Sequence, residues 1–124
     1  MTGKNQSFLI VSAGIVTYRP NINVLERCVR SLLESVSIAK TQGIIRDFEL
    51  IVYVNDQRGE ELKRIFQNFK NESLSVIEGP RNIGFGAGHN RILKNLKSDI
   101  HLIINPDVIF QKKSISLLVE FLGH

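Results

Sequence analysis

Apolar runs of strand length alternate four times with amphipathic stretches of helix length, and this alternation restricts the fold more than any single motif. The runs occupy residues 8–18, 48–54 (FELIVYV), 74–77 and 101–105 (HLIIN). They read as near-continuous apolar segments, the pattern of strands covered on both faces. After the first run, Asn21 or Asn23 can cap a helix that turns Leu25, Cys28, Val29, Leu32, Leu33 and Val36 inward and ends before Gly43. A second helix follows NDQRG, with Leu62, Ile65, Phe66 and Phe69 on one face. A third carries Ile92, Leu93 and Leu96, and residues 114–122 read as a fourth. The order β-α-β-α-β-α-β-α predicts an α/β fold with a doubly wound, mostly parallel, Rossmann-like sheet. Right-handed crossovers give the strand order 3-2-1-4. The chain has 124 residues, enough for one core. Residues 1–7 read as a polar tail and 8–124 as a single domain.

In that order the chain reverses direction between the first and fourth strands, and open parallel sheets bind ligands at such a point, beyond the carboxyl ends of the strands. The rule gathers Thr17-Tyr18-Arg19-Pro20, Asn55-Asp56-Gln57 and Asn105-Pro106-Asp107 into one crevice. The loop 78–90 flanks it, with the stretch Asn82-Ile83-Gly84-Phe85-Gly86-Ala87-Gly88-His89-Asn90.

The chemistry of each piece follows from residue type and spacing. The glycines do not form G-x-G-x-x-G, and no G-K-[ST] closes them, so neither a dinucleotide fingerprint nor a nucleotide-hydrolase phosphate loop is supported. Gly84, Gly86 and Gly88 could let the backbone approach a ligand, with a helix N-terminus just beyond them that favours anions; close helix–strand packing accounts for them equally well. Asp107, after a strand end and a proline, could share Mg²⁺ or Mn²⁺ with a diphosphate, or serve only as a turn or cap residue. Asp56 could accept from a ribose or a base, or close an Asx turn. His89 and His101 have no Cys or second His at ligand spacing, which argues against zinc. No G-x-S-x-G elbow is present.

Charge and cysteine content narrow the setting. The net charge is +4, from 16 Lys and Arg spread along the chain with no block denser than Lys112-Lys113. That distribution argues against a nucleic-acid partner and suits small anions or an anionic membrane surface. Cys28 is the one cysteine, in step with a helix core, so a buried thiol and a reducing compartment are expected. The apolar run behind the tail is too short to span a bilayer and has no signal-peptide cleavage site. A cytoplasmic location is expected.

The segments V-T-Y, LERCVRSLLES, FELIVYVND, GPRNIGFGAGHNRIL and LIINPDV, in this order, resemble the nucleotide-binding half of glycosyltransferase family 2. Within that family they look like rhamnosyltransferase-type members that build bacterial surface polysaccharides. The resemblance runs from about Phe8 to the C-terminus. It implies the GT-A fold and inverting transfer of a sugar from a nucleoside-diphosphate donor, dTDP-rhamnose-like or a UDP-sugar, to a saccharide or lipid-linked acceptor. It implies that Thr17 and Tyr18 lie by the base, that Asn55 and Asp56 hold the base or ribose, and that Asn82 and Asn90 brace Gly84 and Gly86 at the donor pocket. Asn105 and Asp107 fall where the family has its D-x-D motif, with Asp107 as contact to a divalent cation, Mg²⁺ or Mn²⁺. Two departures stand out: the family usually has Asp where this chain has Asn55, and the metal motif is its N-P-D variant. The family continues into an acceptor half that supplies a catalytic carboxylate. Here the chain stops one helix after Asp107, so a truncated domain with no general base is expected, inactive in transfer by itself. Peripheral attachment to the inner membrane and pairing of two copies through an open sheet edge are further expectations. The competing readings are a catalytically silent nucleotide-binding module and a nicotinamide dehydrogenase, the latter disfavoured because TYRP, and no glycine fingerprint, follows the first strand.

Overall fold

The structure, a computed structural model, describes residues 8–69 and 73–122; the polar tail 1–7 lies outside the described residues. Its elements follow the expected order: β1 (Ile10–Thr17), α1 (Ile22–Thr41), β2 (Asp47–Val54), α2 (Gly59–Gln67), β3 (Leu74–Glu78), α3 (Phe85–Leu93), β4 (Ile100–Ile104) and α4 (Ser114–Leu122). The four strands form one sheet in the order β3-β2-β1-β4, and every pairing is parallel. Strand β1 is the axis of this sheet, pairing with β2 from Ile10 to Thr17 and with β4 from Val11 to Ile15.

Local sequence explains where the elements begin and end. The Asn21 side chain caps α1 by accepting from the Val24 amide at 3.2 Å. Gly43, at φ 74°, turns the chain out of the helix. β1 starts later than expected, at Ile10, and Phe8 is left exposed ahead of it. β4 ends at Ile104, which leaves Asn105 outside the strand.

Alternation along β1 divides the interior in two. Val11, Ala13 and Ile15 face a large core built from α1, α2 and α4, with Leu25, Cys28, Leu32, Leu62, Ile115 and Val119 fully or almost fully buried. Burial raises the Cys28 thiol to about 11, so this residue is a core side chain and not a nucleophile at neutral pH. Ser35 ties the two outer helices: its hydroxyl donates to the Lys112 carbonyl at 3.1 Å and accepts from the Ile115 amide at 3.0 Å.

The opposite face is covered by α3 on a smaller apolar cluster of Val16, Ile51, Tyr53 and Ile92. The expectation that this helix starts beyond the glycines is corrected: α3 begins at Phe85, so Gly86 and Gly88 belong to it. The same face holds an unexpected polar group. Ser12 Oγ, buried in β1, lies 2.6 Å from Ser98 Oγ and 2.7 Å from His101 Nδ1. Both ring nitrogens of buried His89 and the Nε2 of His101 have no hydrogen-bond partner among the described residues. Burial holds both histidines below the usual imidazole range, and the neighbouring His101 lowers His89 further.

Depressed histidines bind fewer protons in the folded than in the unfolded state. Their contribution to stability is therefore complete above the unfolded value of about 6.5 and declines as the pH falls below it. The urea midpoint should be lower at pH 5.5 than at pH 7.5, and His89→Leu should shrink that difference.

Candidate functional site

A cleft of about 530 Å³ opens at the carboxyl ends of β1 and β2. Its walls come from the loop after β1 (Tyr18, Arg19), the loop after β2 (Asn55 to Arg58) and the segment after β3 (Pro80, Arg81, Asn82). The sheet changes direction between β1 and β4, so the cleft, lined from β1, β2 and β3 with no residue from beyond β4, lies to one side of that switch point.

Asp56 organises the floor. Its Oδ2 accepts from the Arg19 amide at 2.6 Å and its Oδ1 from the Arg58 amide at 2.9 Å. One carboxylate thereby joins the two loops. Arg19 has φ 46°, the left-handed region uncommon outside glycine, and the bond to Asp56 helps hold it there. Its guanidinium lies 5.2 Å above the ring of Tyr18, which is 50 % exposed at the rim. Arg58 is anchored by Glu61 at 2.7 Å and by the Pro20 carbonyl at 3.1 Å. No ion pair engages Arg19 or Arg81 among the described residues, so their charges are free toward the cleft that they line.

Two expected contacts are placed differently. Thr17 is fully buried, because period-two alternation in β1 sends it with Ala13 and Ile15 to the large core. It lies under the cleft and does not line it. Asn55 borders the cleft but is only 2 % exposed. Its Nδ2 donates to the Gly84 carbonyl at 3.0 Å and its Oδ1 accepts from the Ile83 amide at 3.3 Å, so both ends of the amide are spent on the neighbouring loop. Asn82 Oδ1 accepts from the Gly84 amide at 2.9 Å. Asn90, exposed on α3, is outside the cleft lining.

The three glycines do three different things. Gly84, at φ 88°, is the N-cap of α3 and needs the absence of a Cβ for its backbone. Gly88 is packed: a Cβ there would come within 2.9 Å of Val16 and 3.3 Å of Tyr53. Gly86 is exposed, and a Cβ would meet nothing within 4 Å. Arg58, Pro80 and Arg81 were not singled out by motif reasoning; the adjacency of Arg81 to Asn82 was the available signal.

Asn105 and Asp107 follow β4 on the same edge of the sheet, both exposed and outside the cleft lining. Cys28 Sγ donates a long hydrogen bond, 3.8 Å, to the Asn105 carbonyl, fixing the strand end from below. The Asp107 carboxylate has no hydrogen bond or ion pair among the described residues. No group of three His, Cys, Asp or Glu forms a ready-made cation site among them either.

The family model described as Glycosyl transferase family 2 matches residues 12–124. The chain belongs to this family. No curated protein matches it by sequence. Among solved structures, the fold of this family 2 chain is similar to that of S. aureus TarS (residues 1–349), with a TM-score of 0.71 at 18 % identity over 93 % of the chain and 32 % of TarS. The form of TarS in complex with UDP-GlcNAc gives 0.64 at 22 % identity, over 93 % and 31 %. GalNAc-T7, solved with UDP, GalNAc and Mn²⁺, gives 0.62 at 15 % identity, over 86 % of the chain and 20 % of that protein. The likeness establishes a GT-A-like arrangement, and the chain spans about a third of the length of the TarS fragment.

Distinct glycine roles imply distinct substitution costs. Gly84→Ala should cost about 1–3 kcal/mol, because φ 88° with ψ 167° is a backbone region that is essentially glycine-only, and Gly88→Ala about 1–3 kcal/mol through overpacking. Gly86→Ala should stabilise α3 by about 0.5 kcal/mol, since its Cβ enters open space in a helix. Chemical denaturation of the three variants measures the order.

Proposed function

We propose that this chain is the donor-binding part of an inverting glycosyltransferase and that the cleft receives the nucleoside of a nucleoside-diphosphate sugar. The observation that carries the reading is the end of the sheet that the two share: a cleft beyond the carboxyl ends of β1 and β2 and, after β4, an exposed carboxylate with no hydrogen bond or ion pair among the described residues. Tyr18 offers a half-exposed ring for a base to pack on. Asp56 uses one lone pair on each oxygen for the loops, which leaves further acceptor positions for ribose hydroxyls or a base N–H. Arg19 and Arg81 supply positive charge where the diphosphate leaves the cleft.

The donor set at β4 fits a divalent cation only when the diphosphate completes it. One free carboxylate with the neighbouring Asn105 is too sparse for a protein-only site, yet it suits the mode in which Mg²⁺ or Mn²⁺ takes one or two carboxylates plus phosphate oxygens. Bound there, the cation would neutralise charge on the leaving nucleoside diphosphate. The family membership, and the UDP-GlcNAc and UDP that TarS and GalNAc-T7 hold in their structures, support this reading. The donor is a UDP-sugar or dTDP-rhamnose-like, and the acceptor a saccharide or a lipid-linked sugar at the cytoplasmic face of a bacterial membrane. The reading assigns no general base to this chain.

Thermal denaturation with UDP or dTDP, with and without Mn²⁺, tests it. A ligand at a hundredfold excess over its Kd adds about 2.7 kcal/mol to stability. Stabilisation that requires Mn²⁺ and disappears in Asp107→Ala is the expected result. Stabilisation by NAD in place of UDP and dTDP would overturn the reading; no response to any nucleotide would leave a silent module.

A further inference from the structure

We propose that Asn55 is a positioning residue that acts through its carboxamide on the loop before α3, and that it requires an amide and not a carboxylate. The inference rests on reading the cleft as a nucleotide site, because the loop it sets, residues 82–84, borders that cleft at Asn82. Three contacts converge at this point. The Asn55 amide N–H₂ donates to Gly84 O, its oxygen accepts from Ile83 N, and its own backbone N–H donates to Thr17 O at 2.8 Å. Asn55 thus bridges β1, β2 and the start of α3 from a position closed to solvent. The Gly84 carbonyl also accepts from Gly88 N at 3.1 Å, so the clamp and the first turn of α3 share one oxygen.

The chemistry of the pair dictates the residue type. Gly84 O can only accept, so the atom facing it must donate. An ionised aspartate could still receive the Ile83 amide, but its second oxygen would face the Gly84 oxygen across 3.0 Å, acceptor against acceptor. In a buried setting this arrangement is repulsive and leaves both groups unsatisfied. A protonated carboxyl restores the donor. Burial and the facing carbonyl both favour that protonated form, so the pKa of an aspartate here would lie above its ordinary value. Its wild-type-like state is present at low pH and lost as pH rises through that raised value.

A direct contact to the ligand gives the opposite expectation. If position 55 met a base N–H, aspartate would serve as well as asparagine or better, and the loop would not notice the change. Asn55→Asp therefore separates the two roles by sign.

The test is hydrogen exchange of the amides of residues 83–88 in the free protein, with each variant compared to wild type at the same pH so that the intrinsic rate cancels. At pH 7.5 Asn55→Asp should exchange these amides about tenfold faster than wild type. The ratio should fall toward one as the pH is lowered through the carboxyl's titration. Asn55→Ala, which removes both bonds without adding charge, should show the faster exchange at every pH, and it carries the test if the carboxylate prevents folding at neutral pH. Binding of UDP with Mn²⁺, measured by calorimetry, should weaken in Asn55→Asp at pH 7.5 and recover in parallel with exchange. Unchanged exchange in both variants at pH 7.5, or tighter UDP binding by Asn55→Asp, would overturn the proposal. A wild-type protein that binds neither UDP nor dTDP but shows the pH-reversible exchange would retain the clamp and remove the donor-site reading.

Discussion

Everything in this molecule is referred to the parallel pairing of β1 with strands on both of its sides. A parallel strand cannot be reached by a tight turn, so each pairing demands a crossover, and each crossover carries a helix. Two crossovers leading away through β2 and β3 lay α1 and α2 on one face; the return over β1 to β4 puts α3 on the other. The reversal that results leaves a gap above the carboxyl end of β1. No residue of the cleft was needed to create that gap. The polar side chains at the strand ends only furnish it.

The division of the sheet into two unequal faces explains how firmly each part is held. The three-helix side is dense and apolar; Cys28 reaches the end of β4 and Ser35 holds the start of α4 to α1. The other side rests on few apolar side chains and a group of Ser12, Ser98, buried His89 and half-buried His101, whose ring nitrogens are incompletely paired among the described residues. α3 therefore gains less from packing than α1 does, and its start depends on specific hydrogen bonds at Asn55 and Asn82. The loop that borders the cleft is attached to the more weakly packed side.

How much of this was legible in the sequence differs by level. Strand order followed from the alternation of runs and the handedness of crossovers; the cleft lies at strand ends as expected but without the Asn105–Asp107 segment, and the glycosyltransferase family 2 resemblance reached the family that the chain joins. The individual roles were harder. Thr17 was expected at the site because strand ends carry ligands, but a one-residue shift in alternation separates Thr17 in the core from Tyr18 at the rim. Asn55 carried no mark to show that both ends of its amide point into its own protein. The glycines were read as one motif, whereas φ at Gly84, steric closeness at Gly88 and open space at Gly86 are three-dimensional facts. His89 and His101 are each weighed as zinc ligands from spacing, but spacing does not show that packing of α3 on β4's face of the sheet brings the two rings under each other's influence.

The arginines at the rim bear on time more than on affinity. Arg58 is neutralised by Glu61, while Arg19 and Arg81, in no ion pair among the described residues, outnumber the Asp56 carboxylate in the lining of a concave surface. Such a field acts at distances where no contact exists, gathering anions from solution before any hydrogen bond forms. The encounter of a doubly charged phosphate ester with this cleft should therefore quicken as salt is withdrawn and slow as the Debye length contracts. Departure, governed by short contacts to the loops, should change much less. The cleft would then fill at a rate set by the medium and empty at a rate set by its own geometry.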